Sequence, residues 1–267
     1  MGWLPDVPDH RDRTLDHIVK AKTKVMGKLF DNKIKLPTKA ALDSHLLPPI
    51  QNQGALESCT AHAVTAMLEY LQRRSGADAI ELSRLFLYKT THDFEGVGGN
   101  VGAYIRDTIK AAGLFGMPPE DRFAYVLGNL DAEPAAFLYA FASNYRALNY
   151  IRLDSDNNPA TIVANTKRVL THGLPVAFGF TVYSNITTAA DIPMPGSQDR
   201  PLGGHAVLAV GYDDQHTVNG KTIRAIKIRN SWGPQWGDSG YGWLPFEYIT
   251  AQLACDFWAC FKCEWPK

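Results

Sequence analysis

From residue 59 onward apolar side chains recur at three- and four-residue intervals. Ala61, Val64, Thr65, Leu68 and Leu71 fall on one stripe while Glu69, Gln72, Arg73 and Arg74 fall off it, the pattern of an amphipathic helix that opens at Cys59. A second helix is signalled by Ser83 as cap before Leu85, Phe86, Leu87 and Tyr88. The register Val101, Tyr104, Ile105, Ile109 and Ala112 predicts a third, ended by Gly113, and Pro134 can start a fourth through Phe137, Leu138 and Phe141. Near Tyr145 the character changes. One more helix has Asn158 as cap, Pro159 in its first turn and Gly173 after it, and strand-like runs rich in branched and aromatic residues follow at 174–182, 206–212 and 222–229. Helices first and sheet second predict an α+β chain of two lobes, helical over about 47–145 and β over about 146–267, behind a leader at 1–36.

Charge changes this picture only at the start. The 267 residues carry 27 basic and 27 acidic side chains, so no global field draws the chain to nucleic acid or to an anionic membrane, and a monomer is expected. Residues 1–36 alone hold eight Lys and Arg against five Asp, a basic leader before an acidic remainder. Its alternating stretch from Val19 to Val25 and its prolines suggest an extended arm. No apolar run approaches the ~20 residues of a membrane span, and no signal peptide is recognisable, which fits a chain kept inside or one exported with its signal removed. Cys59 stands apart from Cys255, Cys260 and Cys263, which read as surface thiols or one disulfide because no histidine is near to complete a zinc site.

Cys59 at a helix N-terminus is placed for chemistry. Unpaired N–H groups there carry about half a positive charge, and such thiols can titrate at roughly 3.5–7.5. A base is needed. His205 immediately precedes the strand at 206–212 and Asn230 follows the strand at 222–229, with the turn pair Asn219-Gly220 between the two. A hairpin of these strands would bring His205 and Asn230 to one end, where an amide oxygen could orient the imidazole. His62, one turn into the helix, cannot also reach the space ahead of Cys59, so packing or a local hydrogen bond is its expected role. The glycine cluster Gly96-Val97-Gly98-Gly99 fails as a dinucleotide fingerprint because Val101 stands where a glycine is required; close backbone approach is expected there instead.

With these residues in hand the chain resembles the papain-like cysteine peptidases, nearest to their bacterial branch. The resemblance is carried by Gln53-Gly54-Ala55-Leu56-Glu57-Ser58-Cys59-Thr60, by His205-Ala206-Val207-Leu208-Ala209-Val210-Gly211-Tyr212, and by the run from Asn230-Ser231-Trp232-Gly233 to Gly240-Tyr241; Leu36-Pro37 resembles the start of the mature family domain. It implies a two-lobe fold, a helical lobe and an antiparallel β-sheet or barrel lobe, with the cleft between them. It implies a thiol endopeptidase in which Cys59 attacks, His205 moves the proton, Asn230 orients His205, and Gln53 with the Cys59 N–H forms the oxyanion hole. The implied substrate-binding set is Gly98, Gly99, Asn100, Gly204 and Trp232, with a side-chain pocket near Asn100, Val101, Gly179 and Gly203. The resemblance implies a peptide or protein substrate and neither metal nor organic cofactor.

Departures qualify what is carried over. The family cysteine expected at Leu56 and its partner near Gly96 are both absent, Glu57 replaces a family glycine, and Thr60 and His62 replace large aromatics, leaving room that another group must fill. Two rivals therefore stand beside the peptidase: a papain-fold binding protein with weak or lost catalysis, and an acyl transferase. The leader, opposite in charge to the body, is expected to lie along it and block the cleft, as in a zymogen.

Overall fold

The structure is a computed structural model that describes residues 2–7, 9–14, 35–130 and 132–265. Helix α1, Cys59–Arg74, is buried along all but its last two residues. The solvent face expected of it does not exist. Glu69 is 3% exposed because its carboxylate accepts the Leu82 N–H at 2.7 Å, and Gln72 accepts the Ile80 N–H at 3.1 Å. These polar side chains satisfy the backbone of the loop leading to the next helix, which is what permits their burial.

Ser83 caps α2, Arg84–Glu95, by accepting from the Phe86 N–H, and Gly96 closes it in the left-handed conformation with φ of 71°. Residues expected to open the third helix instead form strand β3, Ala103–Tyr104, and the helix α3 is Ile105–Leu114. Gly113 does not end it. A side chain at Gly113 would stand 3.0 Å from the Ala147 carbonyl, so glycine there lets the helix lie close to the sheet. Helix α4 is Ala136–Ala142, and α5, Pro159–Thr171, is capped by the Asn158 side chain as the sequence predicts.

The strands β4 (Arg146–Arg152), β5 (Val176–Tyr183), β6 (Pro201–Val218), β7 (Lys221–Arg229), β8 (Tyr241–Pro245) and β9 (Ala254–Glu264) run antiparallel in the order β4-β9-β5-β6-β7-β8. Strand β2 (Lys39–Ala41) also pairs with β6, and a four-residue helix α6 (Glu247–Thr250) precedes β9. α1 packs against β5, β6 and β9, and one apolar core joins helices and sheet.

Two expectations change here. β6 begins before His205, because residues 201–204 pair with β5; a Pro-Leu-Gly-Gly start carries no strand pattern, so the sequence alone placed that edge too late. β9 was not expected at all. Of the surface thiols or single disulfide expected there, the structure has no disulfide: all four cysteines are free thiols, Cys260 is buried, and the Cys260 and Cys263 sulfurs are 3.5 Å apart. The Asn219-Gly220 turn is as expected, both residues at positive φ (50° and 75°).

The chain's start returns to this framework. Strand β1, Trp3–Leu4, pairs in parallel with β3.

Candidate active site

The Cys59 thiol lies buried at the first turn of α1, facing β6, whose Ala206 N–H donates to Sγ at 3.3 Å. His205, the residue before, is fully buried, and its Nε2 lies 2.7 Å from Asn230 Oδ1. An amide oxygen can only accept, so Nε2 carries the hydrogen and Nδ1 keeps its lone pair. Nδ1 is buried without a hydrogen-bond partner among the described residues. Trp232 stacks on the imidazole at 4.5 Å and is braced edge-on by Trp236 at 5.4 Å, which shields the His205–Asn230 bond from water. The expected convergence is thus present, although two bulges in the β6–β7 ladder, at 209–211 and 213–216, replace the even hairpin that sequence spacing suggested.

Gln53 ties the two halves together. Its Nε2 donates to the Leu56 carbonyl at 2.9 Å, its Oε1 accepts from Ser231 Oγ at 2.6 Å, and its backbone N–H donates to the Ser231 carbonyl at 2.8 Å. The loop before Cys59 is thereby fastened to the loop after Asn230, and one amide N–H of Gln53 is left over. Ser58 gives α1 no side-chain cap. Its hydroxyl contacts Tyr125 Oη at 2.5 Å, and Tyr125 in turn donates to the Gln53 carbonyl at 2.9 Å and stands edge-on to His62 at 4.9 Å. Tyr125 packs into the room beside His62, and it lies in a loop that carries no periodic signal in the sequence. His62 meets its expected role, with Nδ1 3.0 Å from the Ser58 carbonyl.

The thiol's low pKa expected from the helix N-terminus is not what the structure holds. Burial pushes Cys59 up to about 11, against the N–H groups of Ala206, Gly2 and Thr60, which pull it down. Burial likewise lowers His205 to about 4, opposed by its bond to Asn230. Desolvation outweighs the helix end, and the pair is held neutral.

The leader covers Cys59, toward which the Gly2 N–H points. The Ala103 N–H donates to the Gly2 carbonyl at 2.9 Å, and a side chain at Gly2 would stand 1.8 Å from the Glu57 carbonyl. Trp3 is 4% exposed, its ring lying against Gly179 and Gly204. Beyond it, Asp6 accepts the Trp258 indole N–H at 2.9 Å, and Asp12 receives a two-pronged bond from Arg106 at 2.9 and 2.7 Å. Arg152 lies among Asp6, Asp12, Asp154 and Asp256 at 3.8, 3.4, 2.9 and 2.8 Å. The expected attraction of a basic leader to an acidic body is reversed in these contacts. Leader carboxylates meet body guanidinium groups, and the lysines from 20 to 33 lie outside the described residues.

The other predicted positions separate. Gly204 faces the leader, with the Trp3 backbone carbonyl 2.3 Å from where its side chain would begin, whereas Gly98 and Gly99 are exposed with open space around them. Close backbone approach occurs at Gly102 and Ala103 instead. Asn100 is spent on structure: its Oδ1 accepts the Glu57 N–H at 2.7 Å and its Nδ2 donates to the Ala55 carbonyl at 3.0 Å. Among the described residues no group of three or more His, Cys, Asp and Glu side chains is placed to hold a metal ion, and no helix is long and apolar enough to cross a membrane.

Comparison with known proteins follows the same lines. A family described as papain family cysteine protease matches residues 37–249. The crystal structure of xylellain, a cysteine protease from Xylella fastidiosa, superposes with a TM-score of 0.79 at 32% identity, covering 100% of this chain and 96% of that one. An uncharacterized peptidase C1-like protein of Acanthamoeba polyphaga mimivirus is 30% identical over 96% of this chain and 85% of its own length. A cysteine protease of Blomia tropicalis is 27% identical over 74% of this chain, which spans 57% of that relative's length.

Proposed function

The chain belongs to the papain family of cysteine proteases, and from that premise we propose that it is an endopeptidase in which Cys59, His205, Asn230 and Gln53 carry the reaction, within a peptidase unit at 37–267 restrained by the leader at 1–36. The observation that carries this reading is the meeting of the Cys59 thiol with the strand that bears His205, whose only unpartnered nitrogen is Nδ1. Once the leader is displaced, water and substrate replace the apolar cover and the penalty on charge falls. The thiol proton passes to Nδ1, and Sγ attacks the peptide carbonyl. The oxyanion is met by the Cys59 N–H and the spare N–H of Gln53, each worth roughly 2.7–4 kcal/mol in comparable enzymes. His205 gives its proton to the leaving amine as the C–N bond breaks. Water then adds to the thioester, returning its proton to Sγ by way of His205 and releasing the acid. Asn230 holds the imidazole throughout and Trp232 keeps water from their bond.

A quenched peptide incubated with full-length protein tests the chemistry. Cleavage that vanishes in Cys59→Ala is expected; equal cleavage by the two overturns it. Mass spectrometry with an added amine acceptor separates hydrolysis from acyl transfer, free acid being the expected product. A chain lacking residues 1–36 that folds and cleaves no faster than the full chain would overturn the restraint.

A further inference from the structure

The two donors proposed for the oxyanion stand at opposite ends of one short loop, Gln53 to Cys59, and a single phenol joins those ends. Tyr125 Oη donates to the Gln53 carbonyl at 2.9 Å and lies 2.5 Å from Oγ of Ser58, the residue before Cys59. Carbonyls at both ends of this chain of contacts set the direction of its protons. A carbonyl can only accept, so the Tyr125 hydrogen goes to Gln53 and the Ser58 hydroxyl gives its own to Tyr125. His62 Nδ1 lies 3.0 Å from the Ser58 carbonyl and 3.3 Å from Ser58 Oγ, so that nitrogen carries the hydrogen and Oγ is left to accept. The result is one directed run from imidazole to serine to phenol to carbonyl, in which each bond polarises the next. Burial keeps two of its members in the required forms, raising Tyr125 to about 12 and lowering His62 to about 3.

Nothing covalent holds this loop, since all four cysteines are free. Ser58 spends its hydroxyl on Tyr125 and does not cap α1, so a local bond at the helix start is given up for a contact 67 residues away. Tyr125 is itself anchored. Its N–H donates to Glu120 at 2.6 Å, Glu120 meets Arg84 at 3.2 Å, and the Arg84 guanidinium lies 5.8 Å from the centre of the phenol ring. Packing alone would need the ring and not the hydroxyl.

We infer that Tyr125 is a positioning residue for the reaction, its hydroxyl setting the gap between the Gln53 amide and the Cys59 N–H. This rests on the peptidase reading above. Donors stabilise an oxyanion only when they stand about 2.7–3.1 Å from where it forms. Toward Ser231, Gln53 is pinned through Oε1 and its backbone N–H; Tyr125 supplies a tie on the Cys59 side. Without the phenol hydroxyl the Gln53 carbonyl retains the Leu56 N–H at 3.3 Å, a long bond, and Ser58 loses the acceptor that holds it away from the helix end.

The test compares full-length wild type with Tyr125→Phe, which keeps the ring against His62 and loses the hydroxyl. Two reagents divide the outcomes. A peptide aldehyde adds to the Cys59 thiol as a hemithioacetal whose oxygen occupies the oxyanion position, whereas iodoacetamide alkylates the sulfur with loss of iodide and forms no such oxygen. Both need the leader displaced, so the ratio of aldehyde affinity to alkylation rate in one preparation cancels that step. Tyr125→Phe is expected to weaken aldehyde binding and kcat together by roughly five- to tenfold, with KM and the alkylation rate unchanged. Ser58→Ala removes the other end of the bridge and should give a smaller fall of the same kind, and the double variant should fall no further than Tyr125→Phe alone. Where Tyr125→Phe does not fold, Ser58→Ala decides by the same ratio. An unchanged ratio in the folded variants, or a fall shared equally by both reagents, overturns the inference and leaves the peptidase intact. Absence of any cleavage together with an unreactive Cys59 in wild type overturns the peptidase reading and this inference with it.

Discussion

Two polar clusters lie under the same leader and are held by different contacts. At Cys59 burial removes charge: thiol and imidazole are each pushed toward their neutral forms, and the only strong bond is between imidazole and amide. At Arg152 opposite charges are brought together instead, Asp154 and Asp256 of the body beside Arg152 and Arg106 and the leader's Asp6 and Asp12 among them, although burial raises Asp6 and Asp256 toward their neutral forms. The body's two guanidinium groups and two carboxylates balance in number, and the leader adds the carboxylates of Asp6 and Asp12, the latter on Arg106. The lesson is one of division of labour. Around Cys59 exclusion of water favours neutral groups, while at Arg152 leader carboxylates meet body guanidinium groups and one of them, Asp6, has a raised pKa.

The largest way to break this comparison is at the reactive end. His205→Ala should lower peptide hydrolysis by about 10⁴-fold or more, since the members of such a constellation act as a unit; a loss of only a few fold in kcat would detach His205 from the chemistry. At the gripping end, Arg152→Met leaves several buried carboxylates without their shared partner and should cost about 3–5 kcal/mol, read as a lower denaturant midpoint. An unchanged midpoint would show that the cluster is not a source of stability.

Acidity sharpens the contrast next. Burial, then the neighbouring Asp256 charge, raises Asp6 to about 7 against the pull of Arg106, the Trp258 N–H and Arg152. A released leader returns Asp6 to an ordinary value near 3.8, so the docked state holds the proton more tightly. Its contribution to docking is complete below that ordinary value and is lost as pH rises through about 7. Release should therefore grow by up to about tenfold per pH unit across this window. The ratio of Cys59 alkylation rates in wild type and Asp6→Asn cancels the thiol's own titration and should rise with pH. A flat ratio would remove Asp6 from the grip.

The smallest effect concerns Gly99. Gly99 has a φ of 80° in open space, so Gly99→Ala should cost about 1 kcal/mol of stability and leave hydrolysis unchanged. Loss of hydrolysis in a folded Gly99→Ala protein would return that glycine to the substrate path.

The helix at Cys59, its caps downstream and the meeting of His205 with Asn230 were legible because each rests on local pattern: apolar spacing, a Ser or Asn before a helix, an Asn-Gly turn. The leader's grip was not. Net charge suggested lysines on an acidic surface, but a sum over 36 residues hides which few dock, and two aspartates near the start do so. Asp256 was equally hidden. Its importance comes from a register shift between β5 and β9 and from partners about a hundred residues away, Asp154 and Arg152, which no spacing in the chain announces. The short strand β3 escaped for a related reason, since Ala103 and Tyr104 fit the following helix by pattern but pair with the leader's Trp3 and Leu4.

The most direct measurement is the rate and site of labelling by a thiol-directed epoxide, mapped by mass spectrometry in wild type and in Trp3→Ala. Removing the indole takes away the contact against Gly179 and Gly204, a loss of about 3 kcal/mol from docking. The account predicts label on Cys59 in both proteins, entering about 100-fold faster in Trp3→Ala. Equal rates, or label on Cys255, Cys260 or Cys263 with Cys59 spared, would contradict it.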